Sequence, residues 1–202
     1  MSVALWIAAA YLLGATPTSY LAGRLARGID LREHGSKNLG ATNVYRVLGW
    51  SYAIPVGLID VVKGAIPVAL FARWANGPAW LPVVLGGAAV VGHMFSPYVR
   101  FRGGKGVATA TGMFLALAPV ACLLALPVWG LSLWLTGYVS LSSIIAVLTF
   151  PILVRLTVSG AGPTFWASVA LAVLIMFAHR ANIRRLVAGT ENRFRTRKEA
   201  VQ

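Results

Sequence analysis

Long apolar stretches alternate with short polar segments along the chain. The apolar runs cover residues 3–21, 50–71, 80–99, 107–136, 139–156 and 165–178, and the segments between them hold nearly all the charges. A helix that crosses a bilayer requires about 20 mostly apolar residues. The pattern therefore predicts an all-α, polytopic integral membrane protein with a single transmembrane domain over residues 1–202.

The run at residues 107–136 is long for one crossing. Because Pro119 cannot continue the hydrogen-bond ladder of a helix without distortion, we expect a hairpin of two short helices that breaks near Ala118 and Pro119. The hairpin brings the expected total to about seven transmembrane helices. We expect the N-terminus to be retained, since no Lys or Arg precedes the first run as it does in a signal peptide.

Composition excludes several classes of protein. The chain is 58% hydrophobic and 11% charged, whereas a quarter of the residues of a soluble domain are usually charged. The net charge of +13 is typical of nucleic-acid binding, but the membrane-spanning length of the apolar runs argues against that function. Cys122 is the one cysteine, so neither a disulfide framework nor a multi-cysteine zinc site is expected. The five acidic residues are dispersed, and we expect no metal.

The cations fall into three clusters that predict the topology. Short loops rich in Lys and Arg stay on the cytoplasmic side of a membrane. With the N-terminus outside and a hairpin at residues 107–136, all three clusters and the C-terminus become cytoplasmic. The clusters comprise Arg24, Arg27, Arg32, Lys37 and Arg46; Arg100, Arg102 and Lys105; and Arg180, Arg184, Arg185, Arg193, Arg195, Arg197 and Lys198.

Residues 27–49 contain too many Gly, Asn, Ser and Thr residues for a spanning helix and predict an ordered binding loop. Glycines expose backbone N–H groups that surround anions. Neutral donors and cations in the same segment are Ser36, Asn38, Thr42, Asn43, Arg32, Lys37 and Arg46. An ordinary basic cytoplasmic loop is the alternative interpretation.

Residues 101–109, FRGGKGVAT, place three glycines around Lys105 immediately before an apolar helix. Consecutive glycine N–H groups, a helix N-terminus and a lysine all favour a bound anion. The spacing differs from that of the nucleotide P-loop. The segment predicts a phosphate site at Gly103, Gly104 and Lys105, with a membrane-entry turn and a snorkelling lysine as the alternative.

Two further segments carry polar side chains at helical spacing. Ser140 and Ser143 share a helix face in YVSLSSI, and His179 and Asn182 lie on adjacent turns in HRANIRRL. On their own, such residues are more typical of structural roles. They become candidates because the predicted topology gathers their segments at the cytoplasmic face, together with the three cationic clusters.

Three ionisable residues lie deeper in the apolar runs. Asp60 and Lys63 stand three residues apart, which predicts a structural ion pair within one helix, because burial of either charge alone is costly; direct catalysis by these residues is the alternative. For His93, support of the adjacent glycine-rich segment and a place in the core remain equal alternatives.

Over residues 14–192, the chain resembles one family. The strings GATPTSYLAGRLARGIDLREHGSKNLGATNVYRVLG, IDVVKGAIPV, GHMFSPYVRFRGGKGVATATG, YVSLSSI and HRANIRRLVAGTEN stand in the order typical of the acyl-phosphate-dependent glycerol-3-phosphate acyltransferases, the bacterial PlsY family. The patterns GSxNxGATNxxR and GGKG are highly specific to it. Many members carry glycine where this chain has Lys37.

The resemblance implies a seven-helix transferase of the bacterial cytoplasmic (inner) membrane with its active site facing the cytoplasm. Such an acyltransferase moves a fatty acyl group from acyl phosphate to the 1-hydroxyl of sn-glycerol 3-phosphate. The products are lysophosphatidic acid and inorganic phosphate, in the first acylation of phospholipid biosynthesis. Its expected partners are these substrates and membrane lipid, with no cofactor, nucleic acid or obligate protein partner.

The resemblance also implies the site residues. The substrate-binding positions correspond to Ser36, Asn38, Arg46, Gly103, Gly104, Lys105 and Asn182, and the catalytic ones to Lys105, Ser143, His179 and Asn182. We expect Arg46 and Lys105 to pair with phosphate charges, and the Gly103–Gly104 backbone to hold one phosphoryl group. The role of Glu191 stays open.

A general base is harder to assign. The His-x-x-x-x-Asp dyad of other glycerol-phosphate acyltransferases is absent from this chain. Our hypothesis is that the phosphate of the donor accepts the hydroxyl proton while His179 orients the acceptor. His179 acting as general base is the alternative.

Two functions from other classes remain as alternatives. An anion transporter would also combine a helical bundle with cations at depth, but it usually has symmetric halves and broken helices that meet at the midplane. A membrane-anchored scaffold for anionic lipid would require the charges, but neither the GGKG string nor the Asn-rich segment.

Overall fold

The computed structural model describes residues 2–160 and 162–194, which fold as helices joined by short connections. The helices are α1 (Val3–Ala15), α2 (Thr18–Arg27), α3 (Ala41–Leu48), α4 (Trp50–Ile66), α5 (Ala72–Ala75), α6 (Leu81–Met94), α7 (Val107–Leu117), α8 (Pro119–Thr136), α9 (Val139–Thr157), α10 (Gly162–Ala178) and α11 (Arg180–Val187). A π-helical turn, Pro67–Phe71, joins α4 to α5, and a 3₁₀ turn, Pro97–Val99, follows α6. The all-α prediction is confirmed over these residues. Three cations of the third cluster, Arg195, Arg197 and Lys198, lie outside them.

Several helices are long and apolar enough to cross a membrane. Within the described part of the chain, four stretches meet that condition: Trp50–Ala75, Leu81–Val99, Pro119–Thr136 and Val139–Thr157. Helices α10 and α11, bent by 58° at their junction, bring the number to as many as five if they form one span. Helix α7 is apolar but shorter. The expected total of about seven crossings stays a prediction.

The predicted break near Ala118 and Pro119 is confirmed. Ala118 ends α7 with its N–H donated to the carbonyl oxygen of Phe114, at 2.7 Å. Pro119 occupies the first position of α8, where the missing N–H of proline removes no helical hydrogen bond. Residues 107–136 therefore form two helices.

The first apolar run, residues 3–21, was predicted as one continuous stretch, but Pro17 divides it into two helices. Helix α1 ends at Ala15, and the N–H of Thr16 donates to the carbonyl oxygen of Leu13. A second helix, α2, begins at Thr18. At the interruption, the carbonyl oxygen of Thr16 accepts the N–H of Thr18 at 3.0 Å and the ammonium of Lys63 at 2.8 Å.

The segment predicted as a binding loop is also partly helical. Residues 41–48 form α3, with Gly40 as its N-cap. Val44, Tyr45 and Leu48 stand at helical spacing and are buried in a cluster with Leu31. Only residues 28–40 form a loop, which α3 supports from one side.

The predicted ion pair between Asp60 and Lys63 is confirmed and completely buried. The ammonium of Lys63 lies 2.7 Å from the carboxylate of Asp60. Thr18 donates to the same carboxylate at 2.6 Å. The pair therefore joins α4 to the interrupted segment between α1 and α2.

Close packing of α4 against α7 fixes the position of the glycine-rich segment before α7. A Cβ atom at Gly64 would overlap the carbonyl oxygen of Thr109, and one at Gly112 would overlap that of Val61. Small residues allow the backbones of membrane helices to approach in this way. The start of α7, two residues after Lys105, is thereby held at a fixed place against α4.

Candidate active site

A cavity of about 460 Å³ opens among α3, α4 and α7–α11. Residues far apart in the sequence meet along its wall. Seven side chains predicted for the site line it: Ser36, Asn38, Arg46, Lys105, Ser143, His179 and Asn182.

A chain of hydrogen bonds holds Lys105 in the wall of the cavity. Its ammonium donates to Oδ1 of Asn182 at 2.5 Å, and Nδ2 of Asn182 donates to Oε1 of Glu191 at 2.7 Å. Ser140 donates to the same oxygen at 2.8 Å, and Arg185 donates to Oε2 at 2.6 Å. Burial raises the pKa of Glu191, but these three hydrogen bonds outweigh burial and hold it below its usual range. Glu191 is therefore an ionised anchor for the polar wall.

The surroundings of Lys105 weaken its hold on a proton. Burial lowers the pKa of the ammonium to about 8. The carboxylate of Glu191 opposes this change, while the guanidinium groups of Arg185 and Arg46 add to it. This part of the cavity thus has an excess of positive charge and favours an anion.

His179 lies at the bend between α10 and α11 and is 2% exposed. Its Nδ1 is 2.8 Å from the carbonyl oxygen of Ile175. Since a carbonyl oxygen only accepts hydrogen bonds, Nδ1 carries a hydrogen, and Nε2 is the acceptor of the neutral ring. The ring is thus oriented before any ligand binds.

Asn43 organises the loop that carries Ser36 and Asn38. Its Oδ1 accepts the N–H of Ser36 at 2.7 Å, and its Nδ2 donates to the carbonyl oxygens of Leu31 and His34 at 3.0 and 3.1 Å. Asn43 was predicted as a neutral donor to a ligand. The structure shows its amide used within the loop instead.

Two cations expected to add charge to the site lie elsewhere. Arg32 pairs with Asp30 at 2.7 Å, donates to the carbonyl oxygen of Val99, and holds the pKa of Asp30 below its usual range. Lys37 is exposed, with a φ of 59° that favours glycine. Neither side chain lines the cavity.

The prediction that Gly103 and Gly104 present their N–H groups to a phosphoryl group requires correction. The two groups donate to the carbonyl oxygens of Met94 and His93, at 3.0 and 3.1 Å. A Cβ atom at Gly104 would overlap Nε2 of His93 and the carbonyl oxygen of Leu39. Glycine is required here for close packing, and neither residue lines the 460 Å³ cavity.

Two helix N-termini, rather than the Gly103–Gly104 backbone, present N–H groups at the cavity. The first residues of α3 and α7 line the cavity: Gly40, Ala41 and Thr42, and Gly106, Val107 and Ala108. The first N–H groups of a helix have no partner within the helix and carry partial positive charge. Together with Arg46 and Lys105, they form a cationic end of the cavity.

The opposite end of the cavity is apolar and lies among α7–α10. Its lining includes Phe114, Leu126, Val147, Phe150 and Leu171. The cavity therefore joins a cationic, hydrogen-bonding end to a hydrocarbon-lined end, as an amphiphilic ligand requires.

Two contributors to the site escaped prediction. Trp129 donates from Nε1 to Oγ of Ser143 at 3.2 Å. Nothing in the sequence distinguishes this tryptophan from one that faces lipid. Glu191 stood in a family string, but its contacts with Ser140 and Arg185 depend on the fold.

Among residues 2–160 and 162–194, no group of three or more His, Cys, Asp or Glu side chains is placed to hold a metal ion. His93 and Asp60, which line the cavity, lie 3.7 Å apart but have no third such neighbour.

Comparison with known proteins gives one consistent relationship. The family model for glycerol-3-phosphate acyltransferase matches residues 4–189. The chain is 40% identical to the glycerol-3-phosphate acyltransferase of Chlorobaculum parvum over 93% of this chain and 94% of that one. For the enzyme of the same name in Chlorobium phaeovibrioides, identity is 38% over 94% and 95% of the two chains.

Solved structures agree with the sequence relatives. The fold is similar to the crystal structure of PlsY, an integral membrane glycerol 3-phosphate acyltransferase, in its glycerol 3-phosphate form. The TM-score is 0.90 and the identity 36% over 99% of each chain. The lysophosphatidic acid form of PlsY matches with a TM-score of 0.85 over the same share of each chain.

Proposed function

The chain belongs to the glycerol-3-phosphate acyltransferase family, and we propose that it moves a fatty acyl group from acyl phosphate to the 1-hydroxyl of sn-glycerol 3-phosphate. The products are lysophosphatidic acid and inorganic phosphate. The observation that carries this proposal is the amphiphilic cavity, whose cationic end suits two phosphate-bearing groups and whose apolar end suits the acyl chain.

The protein is a multi-pass integral membrane enzyme, and we place its active site on the cytoplasmic face of the bacterial inner membrane. The cationic end of the cavity and the predicted cytoplasmic clusters share Arg46 and Lys105, and Arg185 of the third cluster pairs with Glu191 in the cavity wall. Loops rich in Lys and Arg stay in the cytoplasm, which supports this placement. The same rule supports about seven crossings by a single domain over residues 1–202, with the N-terminus outside.

The predicted site residues that line the cavity then have roles. Arg46 and Lys105 pair with phosphate charge, and the N-termini of α3 and α7 replace the Gly103–Gly104 backbone as N–H donors. The remaining side chains hydrogen-bond to the substrates and orient them: Ser36, Asn38, Ser143, His179 and Asn182.

The reaction requires alignment more than activation, since acyl phosphate is already a mixed anhydride. The 1-hydroxyl oxygen of the acceptor attacks the acyl carbon, an ester C–O bond forms, and the bond from the acyl carbon to the phosphate oxygen breaks. The departing phosphate takes the hydroxyl proton and leaves as inorganic phosphate. Lys105 and the N-terminus of α7 stabilise the negative charge that develops, and no covalent acyl-enzyme forms.

The replacement His179→Gln tests how the proton leaves the hydroxyl. If His179 orients the acceptor, glutamine retains hydrogen bonding, and we expect a decrease in kcat of about tenfold to a hundredfold with measurable residual turnover. Raising the pH should not restore the lost activity. His34→Gln, at an exposed histidine that does not line the cavity, is the matched control. Complete loss of turnover in His179→Gln, with the fold intact, would assign His179 as the general base.

The pH profile of the wild-type enzyme should report Lys105. Its pKa of about 8 means that the ammonium is charged below pH 8 and loses its proton as the pH rises through that value. We therefore expect kcat/KM, which reports groups of the free enzyme, to fall above pH 8. The residual activity of Lys105→Arg should stay level over this range, because arginine keeps its charge. The same alkaline decline in both proteins would exclude Lys105 as its source.

Phosphate release by detergent-purified protein tests the proposed reaction. Palmitoyl phosphate and glycerol 3-phosphate serve as substrates, palmitoyl-CoA and palmitoyl acyl carrier protein as alternative donors, and Lys105→Ala as the control. Release of phosphate that requires both substrates and is lost in Lys105→Ala supports the proposal. Transfer from a thioester alone would contradict the acyl-phosphate donor. Failure of every donor with folded protein would favour the transporter.

A further inference from the structure

The apolar end of the cavity stops at one level on the four helices that line it. The deepest lining residues are Phe114 on α7, Cys122 on α8, Phe150 on α9 and Ser168 on α10. The next turn of each helix contributes nothing to the lining. The groove therefore has a common floor at this level.

Beyond the floor, the helices are closely packed. Ala118, Ala121 and Val154 are almost completely buried and form a cluster against which Phe150 and Phe165 pack. The ring of Phe150 thus separates the cavity from this cluster.

A second aromatic ring supports the floor. The ring of Phe114 lies with its centroid 4.6 Å from that of Phe150. Paired aromatic rings of this kind are stiff and bury a large apolar area.

We propose that Phe150, supported by Phe114, sets the longest acyl chain that the enzyme accepts. This inference rests on the proposed function, in which the apolar end holds the acyl chain of donor and product. On α9 the residues that line the cavity run from Val139 to Phe150, and over this stretch the helix rises by about 16 Å, at 1.5 Å per residue. A methylene group that cannot enter an apolar pocket lowers kcat/KM by about tenfold or more.

Two replacements on α9 should shift chain-length preference in opposite directions. Phe150→Ala opens the floor onto Ala118 and Ala121, so the ratio of kcat/KM for stearoyl over lauroyl phosphate should rise by at least about tenfold. Ala146 lines the groove between Ser143 and the floor, and Ala146→Leu should lower that ratio by a similar factor. Leu148→Ala, on the same helix but with its side chain 54% exposed, should leave the ratio unchanged.

Phe150→Leu is the second variant in case alanine at this position prevents folding, since it preserves part of the packing. Binding of lysophosphatidic acids from lauroyl to stearoyl, measured by competition in the detergent-purified protein, gives a readout that does not depend on the donor. A wild-type enzyme that rejects acyl phosphate, with lysophosphatidic acid selectivity that still changes in the variants, would refute the donor but support the floor. Unchanged selectivity in folded Phe150→Leu and Ala146→Leu would overturn the inference, because the acyl chain would then leave the groove before reaching Phe150.

Discussion

Replacing Lys105 with alanine should lower kcat/KM for acyl transfer by about a hundredfold to a thousandfold, the range measured when one donor to a developing oxyanion is removed. The ammonium is the cation at the start of α7, and its hydrogen bond to Asn182 fixes its place in the wall. Alanine removes the charge and leaves the amide oxygen of Asn182 without this donor. Steady-state phosphate release at saturating and limiting glycerol 3-phosphate would separate the loss of binding from the loss of rate.

A matched control is available on the same face of the protein. Lys37 is an exposed lysine that does not line the cavity, so Lys37→Ala should change kcat/KM by no more than about twofold. A loss in Lys37→Ala as large as that in Lys105→Ala would show that net charge near the membrane, rather than a positioned cation, supports activity. Near-normal turnover in Lys105→Ala would remove Lys105 from the site.

The glycine-rich segment before α7 shows where reasoning from sequence succeeds and where it fails. The residue types and the adjoining helix predicted an anion site near Lys105, and the structure places Lys105 in the cavity wall beside the N-terminus of α7. Which N–H groups face that site depends on the backbone of α6, because the carbonyl oxygens of His93 and Met94 pair with Gly104 and Gly103. Glycine serves both close packing and anion binding, and the sequence does not distinguish them.

The fold was predicted best where one residue has one physical consequence. Pro119 predicted the break after α7, because proline cannot continue the helix. Burial of Asp60 and Lys63 predicted their ion pair, because neither charge is stable alone in an apolar helix. The same reasoning would have predicted a break at Pro17, but hydropathy alone joined residues 3–21 into one run. Helix α3 was predicted as loop, because the small polar residues of this segment outweighed its short apolar face at Val44 and Leu48.

The hydrogen bonds of Glu191 illustrate the limit of motif reasoning. Its carboxylate meets Ser140 and Asn182, which come from different helices, and both contacts require the chain to return after α11. The string AGTEN identifies Glu191 as a family position. The role of Glu191 depends on its hydrogen bonds with Ser140 and Asn182, which lie 51 and 9 residues away in the sequence.

Replacing Asp60 with alanine should produce the largest loss of stability in the chain. Both members of the ion pair are buried, with relative exposures of 1% for Asp60 and 3% for Lys63. Removal of one member leaves the other charge without compensation, at a cost of about 3–5 kcal/mol in the free energy of unfolding. Thermal unfolding in detergent measures the change, and Leu58→Ala, at a residue of α4 that is 61% exposed, is the control.

The double replacement Asp60→Leu with Lys63→Met separates the pair from its surroundings. Because it removes both charges together, it should recover most of the stability lost in Asp60→Ala, as apolar substitutes for buried ion pairs often do. If the double variant is as unstable as the single one, the hydrogen bonds from Thr18 to Asp60 and from Lys63 to Thr16, rather than the charge pair, hold α4 to the break between α1 and α2. Activity of a stable double variant would then show that this buried pair supports the site only through the fold, since neither charge would be required for turnover.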